Sequence, residues 1–133
     1  MAIEAALRSI LVADSDVFAL TGVRIYPWMR QQGTTFPAIV YELDDTEPQN
    51  GLGGFQDLTR ASITINSIAE SYSEAKDLAT KVNTALAGYT GTSEGTTINS
   101  LIHDNDTGIV EDSDIGNSRG VSIIESVFVV WYN

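Results

Sequence analysis

The chain has 133 residues, no cysteine, and 18 acidic against 7 basic side chains, for a formal net charge of −11 and a pI near 4.1. That length suits a single domain, residues 1–133, with a core of useful size, and the missing cysteines exclude disulfides, thiolate metal sites and cysteine nucleophiles. Arg8, Arg24, Arg30, Arg60, Lys76, Lys81 and Arg119 are scattered singly, whereas tight nucleic-acid binding needs clustered cations that displace counterions from phosphates.

Ile3, Ala6, Leu7, Ile10 and Leu11 fall on one stripe of a helix over residues 2–13. No basic leader precedes an apolar stretch, and no apolar run approaches the roughly 18 residues needed to cross a bilayer, so neither secretion nor a membrane is expected. Ser15 is expected to cap a second, short helical turn carrying Val17, Phe18 and Leu20, with Gly22 ending it. Val23 to Tyr26 then reads as a short strand stopped by Pro27, followed by a polar connector over residues 28–35.

From Pro37 to about Thr46 the pattern alternates, with Ile39, Tyr41 and Leu43 on one face and Val40, Glu42 and Asp44 on the other. Turn residues crowd Pro48 to Gly54, and alternation resumes near Asp57, with Ala61, Ile63 and Ile65 on one face. Two such runs make a β-hairpin whose loop is longer than a tight turn needs. Gln49, Asn50, Gly51, Leu52, Gly53, Gly54 and Phe55 are therefore expected to form a protruding arm.

Residues 72–87 carry Ala75, Leu78, Ala79, Val82 and Leu86 at helical spacing, with Ser71 or Ser73 as N-cap and Gly88 just past the end. Thr90 to Thr97 reads as a linker, Ile98 to His103 as a strand, Asp104 to Asn117 as an acidic, turn-rich segment, and about Arg119 to Tyr132 as the last strand. The expected fold is α+β, a two-layer sandwich of mainly antiparallel sheet with the helices on one face.

No chemistry-bearing constellation emerges from this pattern. His103 is the only histidine, sits at the expected end of a strand, and has no Gly-x-Ser-x-Gly elbow to serve. Asp104 to Gly108 resembles a calcium loop only faintly, because its glycine comes one position early and Ile115 stands where a bidentate glutamate is needed. Gly51 to Phe55 is followed by a strand, so no helix amides are aimed at a phosphate. Neither an enzyme, a cofactor nor a metal site is expected.

The final strand stands out. Val121, Ile123, Val127, Val129 and Trp131 line one face, and Ile124, Phe128, Val130 and Tyr132 line the other. An antiparallel strand in a two-layer domain ordinarily keeps one face polar. The expectation is that the first face packs beneath the helices, and that Ile124, Phe128, Val130 and Tyr132 meet a neighbouring subunit. The alternative is that the hairpin or the first helix folds over that second face.

Gly22-Val23-Arg24-Ile25-Tyr26-Pro27, then Phe36-Pro37-Ala38-Ile39-Val40-Tyr41-Glu42, the hairpin, Arg60 to Asn66, and Ser71 to Ala79 with Val82 and Leu86 form an ordered combination. From the first helix to about Gly88 it resembles the tail completion, or tail terminator, proteins of long-tailed bacteriophages and related gene-transfer particles. The resemblance implies a structural virion protein of the tail or neck, assembled in the host cytoplasm. It further implies a self-associating, hexameric ring that caps the tail-tube protein, meets the head-tail connector or stopper protein, and conducts DNA as cargo. In such a ring, Asp44, Asp45, Glu47, Asp57, Asp104, Asp106, Glu111, Asp112 and Asp114 are candidates for a phosphate-repelling lumen. A head-side stopper or adaptor of the phage neck, and a small acidic cytoplasmic binding module, are the alternative readings.

Overall fold

The apolar stripe on the first helix needs a partner surface, and the computed structural model, which describes residues 2–27, 36–51, 54–111 and 121–133, shows what supplies it. Helix α1 (Ala2–Ala13) buries Ile3, Leu7 and Leu11 against the sheet together with Val17 of α2 (Ser15–Thr21) and Leu78, Val82 and Leu86 of α3 (Tyr72–Leu86). Polar caps set the helix ends. Asp14, rather than Ser15, caps α2, its Oδ1 accepting from the amides of Asp16 and Val17 at 3.0 Å each. Gly22, at φ +58°, ends it. Ser71 caps α3: its Oγ accepts from the Glu74 amide at 3.3 Å and donates to Glu74 Oε1 at 2.9 Å.

The described strands are β1 (Ile25–Pro27), β2 (Ala38–Gly51), β3 (Gly54–Ala69), β4 (Gly91–Ser93), β5 (Thr96–Glu111) and β6 (Val121–Tyr132). They form one sheet in the order β1-β2-β3-β6-β5-β4, with β1 parallel to β2 and every other pair antiparallel. The helices pack against this sheet, as the α+β reading expects.

Three local expectations change. The stretch from Thr90 to Thr97 is no linker: β4 pairs with β5 through Ser93↔Thr96. Glu94 (φ +50°) and Gly95 (φ +77°) make the tight turn between them. Pro27 closes β1 rather than stopping the strand before it, which is tolerated because proline lacks only a donor and an edge strand has one to spare. The acidic segment from Asp104 to Glu111 is extended strand rather than turn, and Asp112 to Asn117 lies outside the described residues. The turn-like composition at Asp104 corresponds to a β-bulge, where the β5–β6 register steps from His103↔Phe128 to Asn105↔Val127.

Candidate interaction face

Strand alternation gives the sheet two faces, and the register assigns every described rung. On the helix side, Ala61 stands opposite Val130, Ile63 opposite Phe128, and Ser67 opposite Ile124. Phe128 is 1% exposed and Val130 0%, both within the main core, while Ile124 packs with Ala69, Ala75 and Ala79 beneath α3. This reverses the expected faces of β6. Ile124, Phe128 and Val130 are core side chains, and Tyr132 packs at the core's margin. The face turned away from the helices is the one carrying Ile123, Val127, Val129 and Trp131, all half-buried.

Across β2, β3, β6 and β5 this open face reads in rungs. Glu47, Arg60, Trp131 and Ser100 form one; Asp45, Ser62, Val129 and Ile102 the next. Glu42, Thr64, Val127 and Asn105 follow, then Val40, Asn66, Glu125 and Thr107. The β2 side is thus acidic, and the apolar part of the face is Val127, Val129 and Trp131 of β6 with Ile102 of β5, 50% exposed, beside them; Ser100, Asn105 and Thr107 border it on β5. At one end the face closes over itself, where Val40 and Ile68 pack with Phe36 and Ile123.

The two halves meet at Arg60. Its guanidinium carbon lies 5.8 Å from the Trp131 ring centroid, and Nη1 lies 3.6 Å from Glu47 Oε2. Further along, Asp44 sits in the bulge between Leu43 and Asp45 and accepts from Thr64 Oγ1 at 2.6 Å. Glu42 is partly desolvated and close to both Asp44 and Glu125. Burial, then those two carboxylates, push its carboxyl above the ordinary glutamate range.

The acidic candidates therefore do not share one surface. Asp44, Asp45 and Glu47 lie on or beside the open face. Asp106 lies on the helix side, on the rung opposite Ser126, and binds Asn83 Nδ2 at 3.4 Å and His103 Nε2 at 2.8 Å. Burial would raise its carboxyl, but the nearby Ser126 hydroxyl, the hydrogen bonds from His103 and Asn83, and the charge on His103 hold it below the ordinary aspartate value. Ser126 Oγ is buried without a partner at full hydrogen-bonding geometry, yet it is near enough to contribute to that lowering. Asp104 is exposed at the bulge. Glu111 pairs with Val121 at the far end of the β5–β6 ladder. Asp112 and Asp114 lie outside the described residues, as does the position of the Asp57 side chain.

Of the candidate arm, Leu52 and Gly53 lie outside the described residues. The backbone ladder on either side continues through Asn50↔Phe55 to Gly51↔Gly54, well past Thr59↔Tyr132, the first rung that β3 shares with β6. Among the described residues no group of three or more His, Asp or Glu side chains is placed to hold a metal ion, and no helix is long and apolar enough to cross a membrane.

The profile of the family described as tail completion protein gp17 matches residues 5–127. The chain belongs to that family. It is a structural protein of the virion tail. Among solved structures, a chain of the virion of a native gene transfer agent particle superposes with a TM-score of 0.73 at 19% identity, covering 98% of this chain and 94% of that one. At that identity the likeness is one of fold. No curated protein sequence matches this tail completion protein.

Sequence reasoning missed Glu125, Arg60 and Ile102 as members of the open face. Pairing of Arg60 with Trp131 across strands is not a local signal. The only available hint was that both sit in strands with alternating patterns.

Proposed function

We propose that this tail completion protein is a ring-forming tail terminator that caps the tail tube, meets the head connector, and lets DNA pass through its lumen without chemistry of its own. The observation that carries this reading is the open face, with an apolar half and an acidic half side by side. A domain this size rarely leaves Ile102, Val127, Val129 and Trp131 to water without a partner, and a neighbouring copy is the cover we assign to them. Asp44, Asp45 and Glu47 lie at the edge of that contact, where lumen-facing carboxylates repel phosphates and keep the genome sliding. Asp57, Asp104, Glu111, Asp112 and Asp114 remain candidates for the same role, and Asp106 is the least suited because its charge is spent within the fold.

The arm from Gln49 to Phe55 is assigned to docking on the tail-tube protein or on the neighbouring copy. Solution mass tests the ring. Sedimentation of the protein alone, and mixed with its tail-tube subunit, is expected to give a closed oligomer of about six copies, as the family resemblance implies. A monomer under both conditions at high concentration overturns the reading. Deleting residues 49–55 is expected to leave the melting temperature nearly unchanged and to abolish co-sedimentation with the tube subunit.

A further inference from the structure

A ring of identical subunits needs a heterologous contact, in which one surface of a copy fits a different surface of the next. The open face supplies one such surface, and its composition restricts the other. Glu42 on β2 feels the negative charge of both Asp44 beside it and Glu125 two strands away, and Arg60, the cation on this face among the described residues, is engaged further along by Glu47 and Trp131. What fits there is apolar and brings positive charge.

One region on the opposite side of the molecule meets both conditions. Where α2 ends, Val23 is 62% exposed and Phe18 47%. Two arginines flank them. Arg8 donates from Nε to the Ile25 carbonyl at 3.2 Å and from Nη2 to the Val23 carbonyl at 3.4 Å. Arg24 donates from Nε to the Pro37 carbonyl at 3.1 Å and from Nη2 to the Leu20 carbonyl at 3.1 Å, and its Nη1 lies against Gly22. These are bonds to neutral carbonyls. Among the described residues neither guanidinium forms an ion pair, even though Glu4 precedes Arg8 by one turn on α1. In a chain with 7 basic and 18 acidic residues, two arginines with no ion pair among the described residues, beside two exposed apolar side chains, form a distinct patch, the knob, with Glu4 of α1 and Asp14 and Asp16 of α2 as the neighbouring carboxylates.

Edge-to-edge joining of sheets is the competing geometry, and charge disfavours it. The outer edges of β2 and β5 beyond their short neighbours carry Glu42, Asp44, Asp45 and Glu47 on one side and Asp104 and Asp106 on the other. Each is interrupted by a bulge at an aspartate, Asp44 and Asp104 respectively. Bulges and charges of this kind keep strand edges from pairing.

Resting on the ring reading, we infer that the knob of one copy, Phe18, Val23, Arg8 and Arg24, docks on the open face of the next copy, against Val127, Val129, Glu42 and Glu125. The contact is head-to-tail, and each copy uses both surfaces once.

Subunit mixing tests this. A knob variant, Phe18→Asp with Val23→Asp, and a face variant, Val127→Asp, are each expected to lose assembly while keeping the wild-type circular dichroism spectrum. Mixed in equal amounts they are expected to form a heterodimer and nothing larger, because one intact knob meets one intact face. Should the face variant fail to fold, Glu42→Lys with Glu125→Lys takes its place. If the knob variant assembles like the wild type, or the folded mixture yields no heterodimer in sedimentation, the knob assignment falls while the ring stands. If the wild type itself stays monomeric with its tail-tube subunit, both fall.

Discussion

His103 Nε2 lies 2.8 Å from Asp106 Oδ1, and the His103 ring packs against Phe128 with centroids 5.2 Å apart. The pair bridges the Asp104 bulge, and Asn83 of α3 reaches Asp106 from above. A polar clamp thus ties the helix layer to the outer half of the sheet.

The clamp makes stability depend on acid. Because the folded Asp106 carboxyl titrates below the ordinary aspartate value of 3.8, its contribution is fully present above that value and is lost as pH falls through the lower, folded value. Asp106→Asn is expected to flatten the loss of stability below about pH 4. At neutral pH the same substitution is expected to cost roughly 1 kcal/mol, the scale of a part-exposed charged hydrogen bond. Urea melts of both proteins across pH 3 to 7 check the sign.

Phe128→Ala empties a fully buried ring site and is expected to destabilise the fold by about 3–5 kcal/mol. Trp131→Ala, three residues on and on the open face, is expected to leave urea unfolding within about 1 kcal/mol of wild type and to weaken assembly instead. A single pair of melts with sedimentation runs separates core from surface on one strand.

Ser71→Ala removes the cap of α3 and is expected to cost about 1 kcal/mol. For a domain of this length that corresponds to a fall of roughly 3–6 °C in melting temperature. Calorimetry measures it directly, and Ser73→Ala, which removes only the 3.5 Å contact between the Ser73 and Ser71 hydroxyls and leaves the capping group in place, is expected to cost less.

Glu94 holds a left-handed backbone, φ +50°, in the β4–β5 turn beside Gly95. Both central residues of this turn need positive φ, for which asparagine followed by glycine is the favoured pair. Glu94→Asn is expected to stabilise the protein by roughly 0.5–1 kcal/mol, read as an upward shift of the urea midpoint.

Much of this architecture is local information. The stripe of Ile3, Leu7 and Leu11, the cap at Ser71 and the alternation of Ala61, Ile63 and Ile65 are each properties of neighbouring residues, and each element forms where those patterns place it. The β4 hairpin was not legible, because Thr, Ser and Gly have the composition of a linker whether or not their backbone amides pair. The bulge at Asp104 was equally hidden: an acidic residue that reads as a turn is also one that breaks a strand's register.

The last strand marks the boundary between the two kinds of information. By itself the sequence determined that β6 carries two apolar faces, since period-two alternation is a property of the strand alone. Which face the helices cover was decided by tertiary structure. The register Ile63↔Phe128 puts Phe128 on the same side as Ala61, Ile63 and Ile65 of β3, and burial of that shared surface commits Ile124, Phe128 and Val130 to the core. Val127, Val129 and Trp131 are left to face outward with the carboxylates of β2, and Glu125, which alternates with them, opposes the one-residue slip of register that would exchange the two sets, because that slip would bury its charge.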